Sequence, residues 1–178
     1  RFEAIQSVAD HFVRIGKTRP AIISADHAVG SKAKAFYSRL KYHGINMIKD
    51  NTIFLTDSKR VSSGYGLADY CYETLDSKFS NGDVLFDSIL CSADEEAMAV
   101  IAWLNSKGLK VPDDVAVVGF NNYSSSKYVT PPLASIERKD RTVAEIAEQM
   151  LFARIEKEDM PVQKETVSMG FVWRESAG

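Results

Sequence analysis

Four groupings of chemically capable side chains stand out in this sequence. Asp94-Glu95-Glu96 places three carboxylates in a row. Paired carboxylates can pass protons to and from a substrate. These three follow a serine and open an apolar-periodic run, where negative charge is favoured by the helix dipole, and that role outranks acid–base catalysis. Ser62-Ser63-Gly64-Tyr65-Gly66 has the look of a nucleophile loop. It lacks the strand, Gly-x-Ser-x-Gly turn and helix that expose such a serine, so it reads as the start of a helix. Of His11, His27 and His43, His27 alone falls in an expected strand-end loop, with no partner in sight. Cys71 and Cys91 sit in apolar runs, Tyr70-Cys71-Tyr72 and Ile89-Leu90-Cys91, and read as buried, reduced thiols. There is no C-x-x-C spacing, so no zinc site is expected. There is neither G-x-G-x-x-G nor G-x-x-x-x-G-K-[ST], so no phosphate loop and no cofactor is expected.

The elements that must carry these residues alternate between helix and strand. Phe2, Ile5, Ala9, Phe12 and Val13 share one side of a helix over 2–15, and Gly16 ends it. Ala21-Ile22-Ile23 reads as a buried strand, followed by a loop, Asp26 to Ser31, and a helix from about Lys32 to His43, stopped by Gly44. Further strands are expected at 52–55, at Val84 to Leu90 and at Val115 to Phe120, with helices from about Ser62 to Ser77 and over 94–107. Ser92-Ala93-Asp94-Glu95 has the spacing of a capping box, with a hydroxyl at the N-cap and a Glu three residues on. After Phe120 come a polar loop, Thr130-Pro131-Pro132 and a strand-like stretch from Leu133 to Ile136. A helix from about Arg141 to Lys157 then shows Val143, Ile146, Ala147, Met150, Leu151 and Ile155 on its apolar face. A last strand is expected over about Thr166 to Trp173.

Strands alternating with helices of about a dozen residues imply an α/β fold, a parallel sheet with helices on both faces. Such sheets bind ligands in the crevice at the carboxyl ends of their strands, here the loops 24–32, 56–62, 91–95 and 119–127. The 178 residues are 45% apolar, enough for one large domain or two small lobes. The formal net charge is −2 and no basic stripe runs along the chain, which argues against its gripping phosphate backbones by itself. No stretch reaches the ~18 apolar residues of a membrane span. The opening Arg1-Phe2-Glu3 has neither initiator Met nor signal peptide and reads as the edge of a fragment.

Four stretches in order, across about 80 residues, resemble regulators of the LacI/GalR type. Ser92-Ala93-Asp94-Glu95-Glu96-Ala97-Met98-Ala99 resembles their Asn-Asp helix start. Leu109-Lys110-Val111-Pro112-Asp113-Asp114-Val115-Ala116-Val117-Val118-Gly119-Phe120-Asn121-Asn122 resembles their "Gly-Leu-x-Val-Pro-x-Asp" turn and "Val-Val-Gly-Phe-Asp-Asp" strand. Pro131-Pro132-Leu133-Ala134-Ser135-Ile136 is similar to their Pro-Pro-Leu-Thr-Thr-Ile crossover, and Phe171-Val172-Trp173-Arg174-Glu175-Ser176 to their terminal strand. Phe36, Gly44 and Ser63-Gly64-Tyr65 fit less sharply.

The resemblance implies a periplasmic-binding-protein-like type I core, mostly one lobe of two. Residues 1–130 would form the C-terminal lobe. Residues 131–160 would be a crossover strand and helix normally part of the N-terminal lobe, and 161–178 a return strand. The helix-turn-helix domain and most of the first lobe would be missing, so operator DNA would be read only through a domain absent from this chain. The helix at 141–157 would then lack its usual partner sheet. A small-molecule effector, a sugar or a phosphorylated or acidic sugar, would close the lobes of a cytoplasmic homodimer. The positions matching the family's pocket are Asp26, Lys32 (in place of Arg), Lys59 (in place of an aromatic), Ala93 (in place of Asn), Asn121 (in place of Asp) and Arg138 (in place of Gln). Lys32, Lys59 and Arg138 could converge on an anion, or lie solvated around a different pocket. Met98, Ile101, Ala102 and Val129 match the second-lobe part of the dimer interface, although Met98 and Ile101 could equally pack on the sheet. Two rival functions remain: a periplasmic sugar-binding protein serving a transporter, which shares the fold, and an α/β enzyme such as a sugar-phosphate isomerase, for which no catalytic constellation is visible.

Overall fold

In a computed structural model of the chain, residues 2–25, 31–46, 51–57, 66–81, 83–137, 139–157 and 159–178 are described, with the backbone alone at 140–141. The elements in chain order are α1 (Phe2–Arg14), β1 (Pro20–Ser24), α2 (Ser31–Tyr42), β2 (Thr52–Phe54), α3 (Leu67–Lys78), β3 (Ser88–Cys91), α4 (Asp94–Ser106), β4 (Ala116–Asn121), a 3-10 turn (Ser124–Tyr128), β5 (Ala134–Glu137), α5 (Asp140–Glu156) and β6 (Gly170–Val172). The six strands form one sheet in the order β2-β1-β3-β4-β5-β6. Every neighbouring pair is parallel except β5 with β6, so the sheet is parallel with one antiparallel edge.

The period of two along each strand divides the core between two faces. Ile22, Leu90, Ala116, Val118, Phe120, Ala134 and Ile136 point toward α1 and α2 and meet Ile5, Val8, Phe12, Phe36 and Leu40. Ala21, Ile23, Ile89, Cys91 and Val117 point the other way, toward α3 and α4, and meet Leu75, Phe79, Val100, Trp103 and Leu104. Because both faces are covered, the strands read as unbroken apolar runs rather than alternating ones. Glycines close the helices of the first face: at Gly16, φ is 77°, and Lys17 N–H reaches back to the Phe12 carbonyl at 2.9 Å. Both cysteines are buried in the second core, where loss of hydration pushes their thiols up in pKa.

Several boundaries differ from the sequence expectation. β3 begins at Ser88, not Val84. Just before it, the Asp87 backbone still bonds to Arg19 and Ala116, and its carboxylate accepts the N–H groups of Thr18 (2.8 Å) and Arg19 (3.0 Å). β6 is three residues rather than eight, because β5, its partner, offers only Ser135 to Glu137. Helix α3 starts at Leu67, after Gly66 at φ 74°; the expected start at Ser62 lies outside the described residues, as does His27. The capping pattern is shifted by one. Ala93 is the extended N-cap residue, and Glu96, three residues on, accepts its N–H at 3.0 Å. Ser92 donates to that carboxylate instead of capping the helix.

Residues 131–160 divide. β5 belongs to the sheet, bonded to β4, whereas α5 leaves Val143, Leu151, Phe152 and Ile155 at least half exposed. Among the described residues no helix is long and apolar enough to cross a membrane.

Candidate functional site

The carboxyl ends of β1, β3 and β4 open on one side of the sheet, and α2 and α4 begin there. Lys32, in the first turn of α2, donates from Nζ to the Ser92 carbonyl at 2.9 Å and lies 4.2 Å from the centre of the Phe120 ring. The structure therefore brings Lys32 beside Ser92 and Ala93 at the end of β3, and over the residue that precedes Asn121 at the end of β4. The other three pocket positions expected from sequence, Asp26, Lys59 and Arg138, lie outside the described residues.

Below Lys32 the start of α4 is tied shut. Glu96 is fully buried and accepts Ser92 N–H at 2.7 Å and the Ser92 hydroxyl at 2.9 Å. Burial pushes its carboxyl up to about 7, against the lowering pull of the Ser92 and Ala93 donors and of the Lys32 charge. Ser92 Oγ also accepts Ala25 N–H at 3.3 Å, which joins the ends of β1 and β3. A serine hydrogen-bonded to a carboxylate can be a nucleophile and its base. Here the carboxylate is occupied by two backbone N–H groups and shut into a helix cap, so the pair shapes the crevice floor.

Asp94 is the second buried carboxylate. It accepts Tyr123 N–H at 2.6 Å, the Ser126 hydroxyl at 2.8 Å and the Ser135 hydroxyl at 2.6 Å. It thereby joins α4, the loop after β4, and β5. Gly119 makes room for it, since a Cβ there would run into the Asp94 carboxylate and lie 3.1 Å from Leu133. The sequence expectation of a structural rather than catalytic role for this carboxylate agrees with these contacts. The number of elements it joins was not legible from the sequence, because Ser126 and Ser135 are distant along the chain and ordinary in type.

At the mouth, Asn121 and Asn122 have φ of 110° and 53°. Asn is the non-glycine residue that best tolerates this region, and the first value is a strained one. Asn121 donates from Nδ2 to the Tyr123 hydroxyl at 3.2 Å. The crevice thus offers an ammonium, a carboxamide and a half-exposed phenol, a set of donors and acceptors matched to a ligand rich in hydroxyl or carboxyl groups. Among the described residues no group of three or more His, Cys, Asp or Glu could hold a metal ion. Of the four expected interface positions, Ile101 is buried in the core of this chain and offers no surface; Met98 and Val129 are partly buried and Ala102 is exposed.

A mostly parallel sheet clad on both faces, with a polar crevice at its strand ends, is the architecture of a periplasmic-binding-protein-like lobe. Residues 9–177 match the family model described as a periplasmic binding protein-like domain, and the chain belongs to that family. Its relatives are regulators of the LacI, GalR and PurR type. It is 36% identical over 110 residues to the HTH-type transcriptional regulator GalR of Streptococcus thermophilus, an alignment covering 60% of this chain and 31% of the relative. A LacI-type transcription regulator from Bifidobacterium animalis subsp. lactis DSM 10140 superposes with a TM-score of 0.79 at 25% identity, covering 99% of this chain and 64% of that one. A LacI family transcriptional regulator from Lactobacillus casei with bound sucrose shares the fold, with a TM-score of 0.76 at 22% identity, covering 99% of this chain and 63% of that one. The chain thus spans about a third of the curated relative and under two thirds of either structure.

Proposed function

We propose that this chain is the ligand-sensing part of a LacI-type transcriptional regulator, and that its effector is a small sugar or a phosphorylated or acidic sugar. The observation that carries the reading is the placing of Lys32 against Ser92 and Phe120, beside Asn121, at the strand ends of a periplasmic-binding-protein-like lobe. Lys32 supplies a point charge where an Arg would supply a fork, which favours a carboxylate or phosphate held at one oxygen over bidentate capture. Asp26, Lys59 and Arg138 complete the proposed pocket. DNA reading belongs to a helix-turn-helix domain outside these 178 residues, acting in the cytoplasm. The helix-turn-helix names of the curated relatives support this over a transporter's binding protein.

On this reading the sheet, including β5 and β6, belongs to the second lobe, and α5 with the residues up to about 160 reaches into the first, whose sheet covers the apolar face of α5. Met98, Ala102 and Val129 form the second-lobe part of a two-fold dimer contact, with Ile101 packing behind them. Met98→Glu should shift the intact protein toward monomer in light scattering; an unchanged mass would remove this surface from the dimer. Calorimetric titration of the intact regulator with glucose, galactose, sucrose, glucuronate and glucose 6-phosphate tests the central reading. Binding by one of these classes, with weakened operator affinity or its converse, is expected. Operator binding that no sugar alters and no sugar heat would overturn it.

A further inference from the structure

Asn122 is not among the residues matched to the family's pocket, yet it holds both β5, which leads out to α5, and the chain just past β6, the strand that returns from α5. On the outgoing side, its backbone N–H donates to the Ser135 hydroxyl at 3.0 Å, and its Nδ2 donates to Glu137 Oε1 at 3.3 Å. Glu137 is the last residue of β5 before the chain departs for α5. On the returning side, Asn122 Oδ1 accepts from Arg174 Nη2 at 2.7 Å, just after β6. Arg174 Nη1 donates in turn to the Leu133 carbonyl, which locks the guanidinium across the strand leading into β5. The Ser135 hydroxyl donates in turn to the buried Asp94 at 2.6 Å, so the clasp is anchored in the floor of the crevice.

The chemistry requires a carboxamide. At φ 53° the position is left-handed, which suits Asn. The side chain must accept from a guanidinium and donate to a carboxylate at once, which an amide does from two separate atoms. An Asp here would meet Glu137 with like charge. The neighbouring residue, Asn121, lies at the crevice mouth with a strained φ of 110°, so a ligand that turns Asn121 also turns the peptide on which the clasp is built.

We propose that Asn122 is a positioning residue that ties the effector-site loop to β5 and to the chain just past β6, the two strands that flank α5, so that a change at the site is relayed toward α5. This rests on the sensing function proposed above. The test is hydrogen exchange on the intact regulator, with and without whichever of glucose, galactose, sucrose, glucuronate or glucose 6-phosphate gives calorimetric heat. Three forms are compared: wild type, Asn122→Asp, and Asn122→Asp with Glu137→Gln, where the added amide donor replaces the one lost. Without sugar, Asn122→Asp should speed exchange of the Ser135–Glu137 and Gly170–Val172 amides by about tenfold, the weight of one charge-assisted hydrogen bond, and the double variant should restore it. With sugar, wild type and the double variant should show altered exchange across α5, while Asn122→Asp still binds the sugar and shows none. Unchanged exchange in sugar-free Asn122→Asp, or a full α5 response in that variant, would overturn the proposal. So would a double variant no better than the single one. If no sugar binds wild type, the sensing function fails, and the sugar-free comparison still decides whether the clasp exists.

Discussion

Asp94 offers a quantitative check on how the crevice floor is held. Replacing it with Ala removes an acceptor for three donors, Tyr123 N–H and the hydroxyls of the buried Ser126 and Ser135. The hydroxyls can turn, and Ser135 already has the Ile136 carbonyl at 3.4 Å, but the Tyr123 N–H cannot follow. One part-buried donor left unpaired costs about 1–3 kcal/mol, and two weakened bonds to a charged acceptor add about as much again, giving roughly 2–6 kcal/mol in all. Asp94→Asn keeps the shape. Its oxygen can take the position shared by Tyr123 and Ser126, and its amide can donate to Ser135, whose proton turns to Ile136. The loss is then chiefly the charge assistance and part of the favourable interaction with the α4 dipole, about 1–2 kcal/mol. Urea unfolding followed by circular dichroism gives both values from midpoint shifts at unchanged slope. A loss below about 1 kcal/mol for Ala, or an Asn variant as unstable as the Ala one, would refute the reasoning.

Three further stability predictions follow from the same region and its surroundings. Gly119→Ala should cost about 1–3 kcal/mol in the same assay, because its Cβ meets the Asp94 carboxylate, Leu133 and Ala97 in a packed core; a neutral effect would mean the strand can shift. Glu96 has its folded value raised from 4.5 to about 7 by burial, so its contribution is fully present below about pH 4.5 and is lost as pH rises through about 7. Glu96→Gln should flatten that part of the wild-type stability profile, and an unchanged slope would contradict the assignment. His11 runs the opposite way. Burial lowers its value from 6.5, its Nε2 lies 2.8 Å from the Ala177 carbonyl, and Trp173 lies 4.2 Å from its ring. The neutral form is the one the fold holds, so stability should fall as pH drops below about 6.5, and His11→Gln should remove that fall; a profile identical in both proteins would count against it.

Much of the architecture was legible because β1, β3 and β4 are apolar on both faces and are bounded by glycines and capped helices. Those signals are local, and covering both faces requires them. The edges were less legible. Leu85 is apolar yet lies outside the sheet and is 40% exposed, and the Asp87 carboxylate that follows it is bound by the Thr18 and Arg19 amides, a contact 69 residues away for Thr18. The β6 pattern over 166–173 runs on past the partner available to it. At the site, the motif resemblance pointed to Lys32, Ala93 and Asn121, whereas the contact of Asn122 with Arg174, 52 residues away, is one that no spacing in the chain announces. The Ser92–Glu96 separation of four, one helical turn, was a usable signal, obscured by placing the cap one residue early. The exposed apolar side of α5 was foreseeable, since a helix carrying Val143, Leu151 and Ile155 without an adjacent covering element has nothing in this sheet to bury them against.

The central claim, that Lys32 marks an effector crevice, is tested most directly by calorimetry on the intact regulator and its Lys32→Ala variant. The titrants are glucuronate, glucose 6-phosphate and their neutral parent, glucose. The account predicts that one of the anionic sugars binds wild type and binds the variant at least about tenfold more weakly, the loss of one charge-assisted hydrogen bond, with operator affinity in the absence of sugar unchanged. Equal sugar affinity in the two proteins would place the effector elsewhere and contradict it.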